Sequence, residues 1–233
     1  MGATRIDGNA CGAAVEAALA ERIAALPSPP HLAVVIVGDD PASHVYVGAK
    51  ERACARLGIR STRIDIAADA EYAEVVATVQ RLNADPDVNG ILVQSPLPSG
   101  MDEIAITDLI DPIKDVDGFH AQNLGRLVQG DASGLLPCTP AGVMRMLEWA
   151  EVDLSGKRAV VIGRSRIVGM PQSLLLAQKG ADATVTIAHS RTADMAALCR
   201  EADVIIAAVG RSNMVTSDWV KPGATVIDVV VNR

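Results

Sequence analysis

Residues Arg158 to Leu176 read RAVVIGRSRIVGMPQSLLL. Ala159 to Ile162 is a short run of apolar, mostly β-branched residues, the pattern of a strand covered on both faces in a parallel sheet. Gly163 ends the run, Arg164, Ser165 and Arg166 make a polar turn, and Gly169 and Pro171 open an apolar helix. Pro171 suits a first helical turn, where its missing N–H is no loss. Strand, glycine turn and helix N-terminus together offer backbone N–H groups and the positive end of a helix dipole to a phosphate. A glycine pair at this spacing is a weaker signature than three glycines in GxGxxG, and by itself it also fits a plain strand-to-helix turn.

The next stretch, ATVTIAHSRT from Ala183 to Thr192, reads as the following strand. A dinucleotide fold that prefers NAD usually carries Asp or Glu at this point, for the ribose 2′-hydroxyl. Here stand His189, Ser190 and Arg191, with Arg164 in the preceding turn. No carboxylate repels a 2′-phosphate, and a guanidinium can grip one through two hydrogen bonds. The stretch therefore argues for NADP as cofactor. Solvated surface arginines are the plainer alternative for each of these residues taken alone.

Composition sets the outer bounds. The chain has 233 residues, of which 49% are hydrophobic and only 2% aromatic, so Ala, Val, Leu and Ile must fill its core. That profile suits a parallel α/β protein of two modest domains. A net charge of -7 provides no broad basic surface, so neither nucleic acid nor an anionic membrane is an expected partner. No long apolar segment or signal-peptide pattern is seen, and a soluble, cytoplasmic protein is expected. Cys11, Cys54, Cys138 and Cys199 form no CxxC pair and are expected to be free thiols, with no metal site.

Taken in order, the chain alternates. Helices are expected over Ala10–Leu26, from Pro41 to Leu57 with Asp40 as cap and Gly58 as stop, and over Tyr72–Asn83. Strands are expected over Leu32–Val37, Arg63–Ile66 and Gly90–Gln94. From Ser99 to Gly134 the sequence looks irregular. Thr139 then reads as the cap of a helix running to Trp149, a natural bridge to the dinucleotide unit. Beyond the two stretches above come a helix over Ala193–Glu201 and strands over Val204–Ala208 and Thr225–Val230.

Candidate chemistry lies in the first part. Ser43, Tyr46 and Lys50 are spaced by three and four residues on the helix after Pro41, so they share one face. Tyr-x-x-x-Lys also occurs in short-chain dehydrogenases, but there it follows the cofactor motif, and here it precedes it. Gln94 ends a strand at the carboxyl edge, where open α/β sheets place ligands. Asp115 and Asp117 flank Val116 in a loop. A surface lysine, a loop glutamine satisfied by backbone and ordinary turn aspartates are the plainer readings of these residues.

Together with their surroundings, VYVGAKERACARLGI, GILVQSPLP, KDVDGFHAQNLGRL, LPCTPAGVMRML, VVIGRSRIVGMP and VKPGATVIDVVVNR, these residues resemble the bifunctional methylenetetrahydrofolate dehydrogenase/methenyltetrahydrofolate cyclohydrolase family. The resemblance covers essentially the whole chain in the family's order. It implies two three-layer α/β domains separated by a cleft: a catalytic, folate-binding domain over 1–139 and a Rossmann-like NADP-binding domain over 140–233. It implies oxidation of 5,10-methylenetetrahydrofolate and hydrolysis of the methenyl product to 10-formyltetrahydrofolate, in a homodimer. By this analogy Lys50 is the catalytic lysine with Gln94 as its hydrogen-bond partner, and Asp117 serves catalysis and binds the pterin. Ser43 and Tyr46 contact the folate, Tyr46 by stacking. Gly163, Arg164, Ser165 and Ser190 hold the cofactor, and Val231 lies beside the nicotinamide.

The chain departs from the family pattern in three places. Ser95 stands where the family has Leu in VQLPLP, and Val230 replaces a glycine in VIDVGINR. The family's closing PGGVGPMT segment does not follow Arg233, so a chain of this length is expected to be less stable and less active than one carrying it. A shikimate-dehydrogenase-like oxidoreductase and a non-catalytic NADP- or folate-binding protein are the competing expectations.

Overall fold

The computed structural model describes residues 2–229. Val230 and Val231 lie outside the described residues. Two compact units are present, one running from Asp7 to Asn123 and the other formed by the residues up to Ile6 and from Leu124 onward.

In the first unit, α1 (Gly8–Ala24) leads to β1 (His31–Val37), α2 (Pro41–Leu57), β2 (Arg60–Ile66), α3 (Tyr72–Ala84), β3 (Gly90–Val93) and α4 (Glu103–Thr107). The strands form a parallel sheet in the order β2-β1-β3. Alternation along β1 makes three layers of it. Ala33, Val35 and Val37 pack with Val75, Val79 and Leu82 of α3 and Ile106 of α4, while Val34 and Ile36 pack with Val47 of α2 and Leu92. Covered on both faces, β1 has no polar position from Ala33 to Val37, which is why it reads as a continuous apolar run. Because β2 and β3 lie on opposite sides of β1, the direction of winding reverses between β1 and β3. Ligands of open α/β sheets gather at the carboxyl ends of strands flanking such a reversal.

The second unit repeats the plan. α5 (Ala121–Gln129) precedes α6 (Cys138–Trp149), β4 (Arg158–Ile162), α7 (Gly169–Ala177), β5 (Thr184–Ala188), α8 (Met195–Glu201), β6 (Val204–Ala207) and β7 (Thr225–Asp228). The sheet order is β5-β4-β6-β7, all parallel. Ala159 and Val161 face α6 and α7 through Val143, Leu147 and Leu176. Val160 and Ile162 pack with Cys199 of α8 and with Ala202 just after it. Burying each of the large β4 side chains contributes about 1.5–3 kcal/mol. The reversal here falls between β4 and β6, so the turn after Gly163 lies at the unit's ligand-binding edge.

The structure corrects three expectations. Thr139 is not the cap of α6: the helix starts at Cys138, its first i→i−4 bond runs from Ala141 N–H to the Pro137 carbonyl (3.0 Å), and Thr139 sits inside the first turn. The stretch from Ser99 to Gly134 contains helices α4 and α5. Strand β5 ends at Ala188, because His189 turns back: Thr192 N–H donates to the His189 carbonyl and His189 N–H to the Thr192 hydroxyl, both at 2.8 Å.

Candidate active site

Helix α2 is set in place by its first turn. Asp40 caps it, accepting from the Ser43 N–H (2.8 Å) and the Ser43 hydroxyl (2.9 Å) at the same oxygen. The Ser43 N–H and hydroxyl hold the Asp40 carboxyl below its ordinary value. Ser43 is buried, and Val47 one turn on is fully buried against the sheet. That seating directs the next turn to the carboxyl end of β3, where Lys50 Nζ donates to Gln94 Oε1 over 3.1 Å.

Gln94 is held at both ends. Its backbone N–H continues the ladder to the Val35 carbonyl (2.9 Å), and its side-chain Nε2 donates to the Ser95 carbonyl (2.7 Å). The amide oxygen is thereby left to face Lys50. Ser43 Oγ lies 3.4 Å from the same Ser95 carbonyl, which places the first turn of α2 beside the strand end. Tyr46 is 45% exposed, its ring open on the helix face it shares with Lys50.

The KDVDG loop assigns each residue a separate task. Lys114 Nζ donates to the carbonyls of Leu82, Asn83 and Asp85 at 3.2, 2.8 and 2.8 Å, a cation on the carbonyl end of α3. The buried Asp115 accepts from His120 N–H (2.8 Å) and Asn123 Nδ2 (2.9 Å). The loop is tied to β3 by the bond from Ile91 N–H to the Lys114 carbonyl, 2.7 Å. Asp117, two residues on, interacts with Lys50. Burial pushes its carboxyl above the ordinary value, the Lys50 ammonium opposes that rise, and the Asp115 charge adds to it.

In the second unit, the turn after β4 is built on two close backbone approaches. Gly163 has φ +123, and a Cβ there would stand 2.5 Å from the Ala208 carbonyl oxygen at the end of β6. A Cβ on Gly169 would run into the Gly163 carbonyl group. No side chain fits at either place, and the first turn of α7 packs directly on the strand end. Ser165 Oγ accepts from the N–H groups of Val168 (3.2 Å) and Gly169 (3.3 Å), shaping the entry to the helix. Arg164, Ser190 and Arg191 are exposed. A glycine cradle, a helix N-terminus and guanidinium groups carried by the turns after β4 and β5 fit a dinucleotide's phosphates.

Asp40, Ser95 and Asn123 also belong to this framework. The sequence marks Asp40 only as a cap, and the contribution of Ser95 to Gln94 is a backbone carbonyl, which leaves no mark in residue identity. Asn123 supports Asp115 across a loop.

The description "Tetrahydrofolate dehydrogenase/cyclohydrolase, catalytic domain" matches residues 6–117, and its "NAD(P)-binding domain" counterpart matches residues 137–233. The bifunctional protein FolD of Acidiphilium cryptum is 57% identical over 233 residues, spanning 100% of this chain and 82% of that protein. The crystal structure of the bifunctional FolD dehydrogenase/cyclohydrolase of Campylobacter jejuni superposes with a TM-score of 0.96 at 44% identity, covering 99% of this chain and 82% of that one. The Trypanosoma brucei enzyme, solved with NADP cofactor and inhibitor, gives 0.93 at 36% identity, covering 98% and 79%. Shikimate dehydrogenase of Thermus thermophilus gives 0.54 at 14% identity, a likeness of fold alone. The chain belongs to the tetrahydrofolate dehydrogenase/cyclohydrolase family.

Proposed function

We propose that this chain oxidises 5,10-methylenetetrahydrofolate with NADP and hydrolyses the resulting methenyl cation to 10-formyltetrahydrofolate. The observation that carries the reading is the 3.1 Å bond from Lys50 to Gln94, on the helix that also carries Tyr46 and close enough to Asp117 to act on its carboxyl. The family assignment and the folate dehydrogenase/cyclohydrolase relatives support it.

Hydrolysis of the methenyl cation requires water to add at the one-carbon bridge, then a C–N bond to break, with protons leaving the water and reaching the departing nitrogen. In this reading Lys50 moves those protons, and the neutral amide of Gln94 orients its nitrogen without adding a countercharge. Tyr46 stacks on the folate ring beside Ser43, and Asp117 binds the pterin through its N–H edge. Gly163 and Gly169 let the first turn of α7 pack directly on the strand end, which sets the α7 N-terminus towards the cofactor's phosphates, with Ser165 shaping the turn, and Arg164 and Ser190 address the 2′-phosphate. NADP, when bound, accepts the hydride from the one-carbon bridge. Val231 completes the set by analogy with the family. A homodimer and a cytoplasmic location belong to the same proposal, and sedimentation equilibrium and cell fractionation test them.

The test is NADPH formation followed by absorbance with 5,10-methylenetetrahydrofolate, with shikimate as control, and decay of the methenyl compound followed separately. Turnover of both folates and none of shikimate is expected. Absence of folate turnover, or oxidation of shikimate, overturns the proposal.

A further inference from the structure

We propose that Glu103 is a positioning residue for the Lys50–Gln94 pair, acting through Ser95. The inference rests on the reading of Lys50 as the proton-transferring group. Ser95 bonds in two directions. Its hydroxyl donates to the Glu103 carboxylate, and its carbonyl accepts from Gln94 Nε2 at 2.7 Å. Gln94 Oε1 in turn accepts from Lys50 Nζ at 3.1 Å. One chain of contacts therefore runs from Glu103 to Lys50, with Ser95 at its middle.

Glu103 is well placed to anchor that chain. It opens α4 directly after the cap Asp102, whose carboxylate accepts from the Ile104 and Ala105 N–H groups and so fixes the start of the helix. The helix is seated on the core by Ile106, fully buried, and is tightened by the Thr107 hydroxyl donating to the Glu103 carbonyl at 2.8 Å. A hydroxyl bonded to a carboxylate is held more strongly than one bonded to a neutral group. Holding the Ser95 side chain restricts rotation of the residue and hence of its carbonyl. That carbonyl decides which end of the Gln94 amide faces Lys50. With the carbonyl in place, the oxygen faces the ammonium. Released, the amide can turn over and set its NH2 against the ammonium, donor against donor.

The test compares Glu103→Ala, Glu103→Gln, Ser95→Ala and the double variant Ser95→Ala/Glu103→Ala in the full chain. Glu103→Ala and Ser95→Ala should each lower kcat for methenyltetrahydrofolate hydrolysis on the order of fivefold, with KM moving by no more than about twofold. The double variant should be no worse than either single one, because both cut the same chain of contacts. Glu103→Gln should retain near wild-type kcat, its amide oxygen still accepting from Ser95. The side-chain amide NMR signals of Gln94 should move in Glu103→Ala and Ser95→Ala and stay in place in Glu103→Gln. Unmoved Gln94 signals in Glu103→Ala, additive losses, or kcat and KM changing together with a fall in thermal midpoint would overturn the proposal. If the wild-type chain does not hydrolyse the folate, the functional reading fails, and the Gln94 signals still decide whether Glu103 positions the pair.

Discussion

Lys50 and Gln94, 44 residues apart in the chain, meet through a single hydrogen bond of 3.1 Å from Nζ to Oε1. The bond joins the third turn of a helix to the carboxyl end of the sheet's outer strand. Its direction is set by the other half of the amide, which is occupied by the Ser95 carbonyl. An ammonium facing a neutral oxygen is oriented but keeps its charge uncompensated by that partner, an arrangement suited to a group that must exchange protons.

Lys50→Met keeps the length of the side chain and removes its proton chemistry. Removing a hydride from the methylene carbon leaves the methenyl cation with no proton to abstract, whereas hydrolysis of that cation needs proton transfer. The variant should lose roughly 10²–10⁴-fold in hydrolysis and retain a measurable part of the dehydrogenase. Both reactions followed in one purified preparation check this, and near wild-type hydrolysis would sink it.

Arg164 is an exposed guanidinium in the turn after β4. A charge-assisted contact to a 2′-phosphate is worth about 1.5–3 kcal/mol. Arg164→Ala should weaken NADP binding about tenfold or more and leave NAD binding nearly unchanged. Calorimetric titration with each nucleotide distinguishes this from an equal loss for both, which would exclude a role in reading the phosphate.

Asp117 should carry a stability cost for its position. Its carboxyl is raised above the ordinary 3.8, chiefly by burial and in spite of Lys50. A group raised in the folded state favours folding when protonated, and that contribution is lost as pH rises through the folded value. Asp117→Asn should therefore have a higher thermal midpoint than wild type at neutral pH, with the gap narrowing as pH falls towards about 4. Folate affinity should drop in the same variant. Melting curves across this pH range give the answer, and a midpoint below wild type at neutral pH would contradict it.

Two helix glycines should respond oppositely to the same substitution. At Gly169 an added methyl meets the Gly163 backbone, which has no room to yield, whereas at Gly142 nothing lies within 4 Å. Gly169→Ala should cost about 1–3 kcal/mol and weaken NADP binding. Gly142→Ala, within α6, should be neutral or stabilising by up to about 1 kcal/mol. Chemical denaturation of the two variants provides the comparison, and equal stabilities would show that the Gly163–Gly169 approach is not tight.

The parts of the fold that were legible in the sequence are those set by local rules. The run from Ala33 to Val37 and the run from Ala159 to Ile162 announce strands covered on both faces, and Asp40-Pro41 announces the start of α2. α5 was not legible, since its N-terminus is held by Asp108, whose carboxylate accepts from Ala121 N–H 13 residues away. Thr139 misled for a related reason: a hydroxyl residue before proline resembles a cap, but the chain enters α6 through the Pro137 carbonyl.

Asp115 and Asp117 show where sequence stops. In the chain they are the same residue type, two positions apart, in one polar loop. Folding buries Asp115 among N–H donors from His120 and Asn123 and leaves Asp117 to interact with Lys50. The alternation of strands and helices, the glycine turn and the shared face of Ser43, Tyr46 and Lys50 follow from local sequence, because periodicity and steric limits act between near neighbours. Which aspartate feels the lysine and which end of Gln94 faces it were settled by tertiary folding, because those pairings join distant segments, while the carbonyl that holds the amide, on neighbouring Ser95, is a backbone oxygen that every residue possesses.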